Sequence, residues 1–297
     1  MSLIENALDK LRRVSGPESP AEVTARSGVA AAPSAPKGPA VIVPPAHAYI
    51  HKRITLDQKA VRAAGYLPDP GLERRFADHY RQIKRPLIER SRAGAADMRL
   101  ILVSSALPGD GKTFTSINLA LSLAGERDLS VLLVDADAPR GRISEVLGVR
   151  SEPGLLDALV DESVDVESLI LETDIRGLEV LPSGKFVANA TELFGSSRMD
   201  QISLLFGVHN PRRLVVFDSA PLLVSSEARA LLRIPGQVLL VLRAGVTPLQ
   251  AIKDAIAHVD KKRLQGLILN QTPYKRAAGY YGYPGYGDGD DETSDAD

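Results

Sequence analysis

The pattern of apolar and polar positions changes near Met98, where short apolar runs begin to alternate with stretches of helical periodicity. Most of these runs are continuous rather than alternating, which is typical of parallel strands buried on both faces of a sheet. Alternation of strands and helices over about 175 residues predicts an α/β domain, with a mostly parallel central sheet between two layers of helices. The pattern predicts six strands, at residues 100–103, 131–134, 178–181, 214–217, 238–242 and 267–269.

Three helices have clear sequence signals. Residues 112–124 carry apolar side chains along one stripe, as a core-facing helix does. Another helix is predicted to begin with Thr247 as its N-cap, because Pro248 and a capping-box glutamine follow it. An earlier helix, over residues 72–91, is expected to break or kink at Pro86, since proline removes a helical hydrogen bond.

Composition divides the rest of the chain into segments. The pattern of residues 1–13 predicts a short amphipathic helix. It is either a frayed terminal helix or a helix that docks on a partner or a membrane surface. Residues 14–59 are rich in Ala and Pro and predict a linker. The predicted α/β domain covers residues 60–273. Residues 274–297 combine tyrosine, glycine and acidic residues, which predicts a disordered tail.

Charge and residue usage exclude several classes of protein. The formal net charge of −1 argues against a nucleic-acid binder that works by bulk positive charge. The absence of Cys excludes disulfides, thiolate catalysis and Cys-based zinc sites, and the five His show no close metal-ligand spacing. No apolar run is long enough to span a bilayer, and the N-terminal segment lacks the apolar core of a secretory signal. We therefore expect a cytoplasmic protein without a structural metal.

A glycine-rich loop with the spacing of a phosphate-binding P-loop follows the first predicted strand and opens the first predicted helix. Gly109 and Gly111 let the backbone approach phosphate oxygens, while successive N–H groups and the helix dipole attract anions. Lys112 can bridge the β- and γ-phosphates of a nucleotide, and the Thr113 hydroxyl suits Mg²⁺. This strand–loop–helix context predicts a P-loop NTPase domain, although Ala106 replaces the first glycine of the usual pattern.

Three acidic residues end two of the predicted strands. Asp135 and Asp137 follow the second strand, and Asp218 follows the fourth, in the position of a Walker B carboxylate. Ligands of open α/β sheets bind beyond the carboxyl ends of the strands. One acidic residue there is usually a helix cap, but three beside a P-loop indicate a Mg²⁺ site, completed by a hydroxyl and water.

The segment that contains Asp135 and Asp137, VLLVDAD, resembles the second Walker motif (A′) that marks the bacterial tyrosine kinases, the P-loop autokinases of exopolysaccharide systems. Together, several segments resemble the branch of that family associated with exosortase and polysaccharide operons. These segments are MSLIENALDKLRR, YRQIKRPLIE, SSALPGDGKT, DADAPR, VVFDSAP and the tyrosine-rich tail. The resemblance implies an ATP-dependent protein-tyrosine autokinase without its own membrane domain, which a separate membrane protein of the chain-length-determinant type activates.

The resemblance also implies roles for individual residues. Lys112 and Thr113 would hold phosphates and Mg²⁺, and Asp137 and Asp218 would hold Mg²⁺ directly or through water. Asp135 would orient or deprotonate the incoming tyrosine hydroxyl, whose pKa of about 10 makes it a poor nucleophile on its own. The residues expected to bind ATP are Pro108, Gly109, Asp110, Gly111, Lys112, Thr113, Phe114, Arg140 and Asn270.

Two of these residues have open alternatives. Asn270 is where related P-loop ATPases contact the adenine edge, but it would equally suit a turn at the end of a strand. Arg140 would contact the nucleotide or a neighbouring chain, or else be an ordinary surface arginine.

The resemblance further implies self-association. The family's oligomerisation motif, Glu-x-x-Arg-x-x-Arg, corresponds here to Asp78, Arg81 and Lys84 on one face of the 72–91 helix. The substitutions keep the signs of the charges, but they shorten the acid and replace a bidentate guanidinium with an ammonium group. We expect a homo-oligomer formed through this helix, located at the inner membrane through the membrane partner.

The tail offers candidate phosphate acceptors. Tyr280, Tyr281, Tyr283 and Tyr286 lie between small residues, in a segment long enough to enter a neighbour's active site. We expect phosphorylation between chains. Because each phosphate adds about −1.5 to −2 charges, it should also shift an oligomer towards monomers.

Two other functions fit the same motifs. A ParA- or MinD-like ATPase would cycle on DNA or a membrane, but those proteins carry a signature lysine where this chain has Leu107. A nucleotide-gated adaptor without catalysis is the other alternative. Phosphate release and phosphotyrosine formation distinguish the three functions.

Overall fold

The computed structural model describes residues 49–272, and the side chains of all of these except residues 208 and 209. The described residues form one eight-stranded sheet with helices on its faces. All six predicted strands are confirmed, and two strands of three residues each are added. The strands are β1 Lys52–Ile54, β2 Leu100–Ser105, β3 Ser130–Ala136, β4 Leu171–Thr173, β5 Leu178–Leu181, β6 Arg213–Ser219, β7 Gln237–Arg243 and β8 Leu264–Asn270.

The strands lie in the order β1-β4-β5-β3-β6-β2-β7-β8. Only the β4–β5 pair is antiparallel, so β1 and β4 run opposite to the other six strands. The expected mostly parallel sheet is thereby confirmed. Because β3, β6 and β2 are parallel neighbours, their carboxyl ends lie side by side at one edge, where ligands of such sheets bind.

Helices connect the strands. The predicted helix over residues 112–124 is confirmed with the same bounds. The helices are α1 Gln58–Ala63, α2 Glu73–Ala93, α3 Lys112–Ala124, α4 Arg142–Val146, α5 Leu155–Val160, α6 Ala190–Phe194, α7 Ser197–His209, α8 Ser226–Leu231 and α9 Leu249–Ala257.

Both faces of the central strands are buried, which explains why these strands are continuous apolar runs. In β2, Leu100 and Leu102 pack into one hydrophobic cluster, whereas Ile101 and Val103 pack into a second cluster on the opposite face. All four are at most 4% exposed. The alternating side chains of each central strand therefore hold two layers of helices on one sheet.

Helix α2 does not end at Pro86. It runs from Glu73 to Ala93 with the proline inside it, so of the two outcomes expected at Pro86, a break or a kink, the break does not occur. Tyr80, Leu87 and Ile88, on both sides of the proline, are buried in the second cluster. Packing of this apolar face outweighs the hydrogen bond that proline removes.

The three charged residues of the proposed oligomerisation face have different environments. Asp78 and Arg81 are exposed and pair with each other. Lys84 is only 12% exposed, and its ammonium group lies 2.7 Å from Glu126 Oε1 and donates to the carbonyl oxygen of Ser122 at 2.6 Å. The Lys84 side chain therefore holds α2 against the end of α3 within one chain, which leaves Asp78 and Arg81 as the accessible part of the motif.

We expect Lys84→Met to lower the free energy of unfolding by about 1–2 kcal/mol, because it removes a charged donor from the Ser122 carbonyl oxygen and an ion pair whose glutamate is 41% exposed. Arg81→Met, at an exposed position of the same helix, should change it by less than about 0.5 kcal/mol. Urea titrations of both variants measure the difference. Equal stability of the two variants, with self-association lost only in Lys84→Met, would contradict the intrachain role of Lys84.

The first described residues overlap the segment that composition predicts to be a linker. Strand β1 pairs in parallel with β4, and Arg53 forms an ion pair with Glu172, so residues 52–54 belong to the sheet. The predicted N-terminal helix, most of the linker and the tyrosine-rich tail lie outside the described residues. Within residues 49–272, no helix is both long and apolar enough to cross a bilayer.

Candidate active site

The predicted P-loop joins β2 to α3 at the carboxyl edge of the sheet. Gly109 and Gly111 have φ values of +86° and +97°, a left-handed conformation that glycine adopts without strain. Ala106 has no positive φ and is buried, which explains how alanine replaces the first glycine of the usual pattern. The loop therefore keeps the two glycines that its backbone requires.

Asn270, the last residue of β8, lies against this loop. Its Nδ2 donates to the carbonyl oxygen of Asp110 at 3.0 Å. A Cβ atom added to Gly111 would lie 1.9 Å from the same Nδ2. Asn270 thus holds the loop backbone closely, and contact with the adenine edge stays a prediction for its remaining amide oxygen.

The side chain of Asp110 fixes the loop from the inside. Its two oxygens accept from the backbone N–H of Leu107 at 3.0 Å and from the hydroxyl of Thr247 at 2.7 Å. The prediction of Thr247 as a helix cap is wrong, because α9 begins at Leu249, with Pro248 as its N-cap and no side-chain cap. A threonine two residues before the helix instead acts on the phosphate loop, which local sequence patterns do not reveal.

We expect Thr247→Val to weaken nucleotide binding about tenfold, because the Asp110 carboxylate loses a hydrogen bond, and a hydrogen bond to a charged group contributes about 1.5 kcal/mol. Thr247→Ser keeps the hydroxyl and should bind as the wild type does. Titration with a fluorescent ATP analogue measures both affinities. Unchanged affinity in Thr247→Val would show that Asp110 does not need this partner.

Lys112 and Asp137 form an ion pair in the site. Lys112 Nζ lies 3.1 Å from Asp137 Oδ2, and the two side chains are 10% and 1% exposed. Asp137 Oδ2 accepts no well-aligned hydrogen bond from the described residues. A solvent-open position for Lys112 is therefore not observed: the lysine is nearly buried, and it already neutralises one of the predicted metal ligands.

Asp218, at the end of β6, is fully buried and directs two hydroxyl groups. Its oxygens accept from Thr113 Oγ1 at 2.8 Å and from Ser116 Oγ at 2.9 Å. Burial raises the pKa of Asp218 to about 7, against the opposing effect of Lys112. Because the Thr113 hydrogen points at Asp218, the lone pairs of its oxygen stay available to a cation.

Asp135 lies opposite Asp218 in the pairing of strands β3 and β6. Helix α4 holds its side chain. Its Oδ2 accepts from both the backbone N–H and the hydroxyl of Ser144, at 2.7 and 2.6 Å. Burial raises the pKa of Asp135 to about 6, although the Ser144 hydrogen bonds lower it. The Ser144 hydroxyl in turn accepts from the backbone N–H of Ser183 at 2.9 Å. No local sequence pattern points to Ser144 or Ser183.

The donor set suits a divalent cation that also binds phosphate oxygens and water. Among residues 49–272, no three His, Asp or Glu side chains lie close enough together to hold a metal by themselves. However, Asp135, Asp137 and Asp218 are at most 1% exposed, and Lys112 forms an ion pair with Asp137. Such buried negative charge, with a carboxylate oxygen lacking a hydrogen bond, fits Mg²⁺, which uses few protein ligands.

A cleft of about 460 Å³ adjoins the end of the P-loop. It is lined by Gly111, Phe114 and Asn270 from the site and by Phe76 and His79 from α2. The rings of Phe76 and Phe114 meet edge to face, with centroids 5.7 Å apart. Aromatic and aliphatic side chains share the lining with the polar side chains of Arg75, His79, Asn270, Gln271 and Thr272, a mixture that suits a planar ligand such as a purine base.

Arg140 is the one described candidate that lines a separate cavity, together with Arg142 and Arg150. The tail tyrosines Tyr280, Tyr281, Tyr283 and Tyr286 lie outside the described residues. The remaining candidates, Pro108 included, belong to the P-loop, to its flanking helix or to the strand ends beside it.

Comparisons with known proteins identify relatives of this chain. Residues 98–270 match the model of the AAA domain family. The chain is 31% identical over 195 residues to the tyrosine-protein kinase wzc of Salmonella typhimurium, covering 64% of this chain and 26% of that relative. It is 30% identical over 190 residues to the tyrosine-protein kinase YwqD of Bacillus subtilis, covering 62% of this chain and 78% of that relative.

A solved structure shows the same fold. The kinase domain of the Escherichia coli tyrosine kinase ETK is 32% identical, with a TM-score of 0.54 and coverage of 63% of this chain and 72% of that domain. The chain spans about a quarter of the length of wzc, so the likeness to that relative concerns only part of it. The chain belongs to the AAA domain family and, within it, to the bacterial tyrosine kinases.

Proposed function

We propose that this protein is an ATP-dependent protein-tyrosine autokinase. The observation that carries the proposal is the pair of carboxylates at the end of β3, one of which binds the P-loop lysine. Asp137 contacts Lys112, and Asp135, two residues earlier, is held by α4 in the same buried site. This arrangement supplies a phosphate site and a separate carboxylate for a hydroxyl nucleophile, which phosphoryl transfer requires.

In this proposal the P-loop binds the phosphates of ATP. The N–H groups of the loop and Lys112 hold the β- and γ-phosphates, and Lys112 leaves Asp137 to do so. Thr113 and Asp137 are the residues that would hold Mg²⁺, with Asp218 acting through Thr113 or water. When bound, Mg²⁺ offsets the negative charge of the phosphates.

Asp135 is the proposed proton acceptor for the tyrosine hydroxyl. A pKa of about 6 leaves most of this carboxylate ionised at neutral pH, and a general base works best when its pKa is near the operating pH. The hydrogen bond from Ser144 Oγ holds the carboxylate in place, and a tyrosine hydroxyl would take over that bond during transfer. Asn270, Phe114 and the cleft beside them would receive the base of ATP.

The proposed acceptors are Tyr280, Tyr281, Tyr283 and Tyr286, phosphorylated between chains. We further propose that the chain belongs to the branch associated with exosortase and polysaccharide operons. It would regulate exopolysaccharide synthesis and export with a transmembrane chain-length-determinant partner, at the cytoplasmic face of the inner membrane. Asp78 and Arg81, the exposed part of the α2 face, would contribute to the homo-oligomer.

One incubation separates the proposed activity from its alternatives. The full chain is incubated with ATP and Mg²⁺, with and without a candidate partner's cytoplasmic segment, and both phosphotyrosine and free phosphate are measured. We expect phosphotyrosine that maps to the tail. Free phosphate without phosphotyrosine would indicate a ParA- or MinD-like ATPase, and nucleotide binding without either product would indicate an adaptor.

A mixing experiment tests transfer between chains. Lys112→Met protein with an intact tail is combined with active protein whose four tail tyrosines are phenylalanine. Transfer between chains predicts label on the Lys112→Met protein. An unlabelled Lys112→Met chain, with wild-type protein labelling its own tail at a rate independent of concentration, would mean transfer within one chain.

A further inference from the structure

Three arginines and one glutamate surround a second cavity, at the start of α4. Arg140, Arg142, Glu145 and Arg150 line this cavity, whose volume is about 400 Å³. The side chains of Arg142 and Arg150 are 46% and 59% exposed, and Arg140 is exposed as well. We call these three arginines the arginine cluster. The proposed phosphoryl transfer uses neither Arg142 nor Arg150, and for Arg140 contact with a neighbouring chain is one of the alternatives that the sequence leaves open.

Contacts within the cavity hold the arginines in place. Glu145 pairs with Arg142 at 2.8 Å and lies 3.9 Å from Arg150. Arg150 Nη1 also donates to the carbonyl oxygen of Arg140 at 2.6 Å. Three positive side chains and one negative one leave a surplus of two positive charges, on guanidinium groups that bind carboxylates in a bidentate manner. The cavity therefore suits a ligand with several carboxylates.

The arginine cluster is connected to the active site by short backbone links. The N–H groups of Arg140 and Gly141 both donate to the carbonyl oxygen of Asp137, at 3.0 and 2.7 Å. Such a turn keeps the Cα atoms of Asp137 and Arg140 within about 7 Å of each other. Helix α4, which carries Arg142, also carries the Ser144 that binds Asp135. A peptide held by the cluster would therefore lie beside the proposed base.

We propose that the arginine cluster is the docking site for the acidic end of the tail of a second copy of this chain. Residues 288–297 carry six acidic side chains: Asp288, Asp290, Asp291, Glu292, Asp295 and Asp297. The opposite charges of this run and of the cluster complement each other, and exposed charges of this kind steer encounters between chains. The proposal depends on the proposed function only for the role of the tyrosines as acceptors.

The spacing of the tail supports this docking. Tyr286 precedes the first acidic residue by two positions and Tyr280 by eight. At about 3.3–3.6 Å per extended residue, these separations reach roughly 7–29 Å from the anchored run. All four tyrosines could thus approach Asp135 in turn while the same acidic anchor stays bound. The anchor would supply affinity without selecting one tyrosine.

A binding experiment tests the docking without any kinase activity. The probe is a fluorescent peptide of residues 279–297, and the receptor is the full chain with its own six acidic tail residues changed to Asn or Gln. Anisotropy is measured without ATP. Changing Arg140, Arg142 and Arg150 to Gln should weaken binding by about tenfold, the sum of several exposed ion pairs. Binding by the receptor with an intact cluster should also fall strongly as salt is raised.

The matched control changes three exposed arginines at the opposite edge of the sheet. The substitutions Arg127→Gln, Arg176→Gln and Arg212→Gln alter the net charge equally, and these residues precede β3, β5 and β6. Binding should stay within about twofold of the receptor that keeps all its arginines.

Equal weakening by the two triple variants, or equal binding of a peptide with its acids neutralised, would overturn the docking site. If the triple cluster variant has a clearly lower melting temperature than the wild type, the single variant Arg140→Gln is compared with Arg212→Gln instead. If the protein with an intact cluster is an active kinase but does not bind the peptide, only the docking is rejected. If it binds the peptide but forms no phosphotyrosine, only the proposed function is rejected.

Discussion

Lys112→Met protein should form no detectable phosphotyrosine and should also unfold more easily than the wild type. Loss of a positive group aimed at the phosphates lowers the rate of transfer by at least about 10²–10³-fold. The loss of stability arises because Asp137, 1% exposed, loses the one ion-pair partner that it has among the described residues. Removing one member of such a buried pair costs about 3 kcal/mol. Phosphotyrosine immunoblots and thermal melts measure the two effects.

A double variant separates these effects. Lys112→Met combined with Asp137→Asn removes the unpaired charge as well as the lysine, so it should recover most of the lost stability and remain inactive. If the double variant were as unstable as Lys112→Met, the ion pair would not be the source of the instability. Wild-type phosphotyrosine in folded Lys112→Met protein would reject the P-loop as the phosphate site.

Gly111→Ala should reduce nucleotide affinity by more than about 100-fold. The substitution places a Cβ atom 1.9 Å from Asn270 Nδ2, at a φ of +97° that side chains rarely adopt. The left-handed conformation alone costs about 1–2 kcal/mol, and relief of the clash must move either Asn270 or the loop that binds phosphate. Titration with a fluorescent ATP analogue gives the affinity.

Gly109→Ala is the matched control for this variant. Its φ is +86°, but a Cβ atom there meets no other atom within 4 Å, so only the backbone strain remains. Its affinity should fall by about tenfold, and Gly111→Ala combined with Asn270→Gly should recover towards that value. Equal losses in the two single alanine variants would show that Asn270 does not constrain the loop.

The central part of the fold follows from the sequence because its signals are local. Short apolar runs, most of them continuous, identify the six longer strands, and the P-loop motif identifies the start of α3. Strands β1 and β4 have three residues each and no apolar run. They lie at one edge of the sheet, where backbone pairing with a neighbouring strand holds them, so no sequence pattern reveals them. Pro86 shows that a local signal can also mislead. The proline favours a helix break, but burial of the apolar helix face stabilises the helix on both sides of it.

The part of the candidate site that the sequence predicts also depends on local signals. The P-loop and the three aspartates have fixed spacing within short segments, and the parallel sheet brings the segments together. Thr247, Ser144 and Ser183 act on the site through contacts between segments that are far apart along the chain. Serine and threonine are common in loops, so only the folded arrangement distinguishes these three.

In the proposed function, the Lys112–Asp137 ion pair would also affect the rate at which nucleotide leaves. Asp137 Oδ2 lies 3.1 Å from the lysine, so the phosphates of ATP and ADP would have to compete with this carboxylate. This competition would offset part of the binding free energy of either nucleotide. As ADP departed, Asp137 would recapture the lysine, which would shorten the residence time of the product. Where product release limits turnover, an internal competitor of this kind makes each catalytic cycle faster.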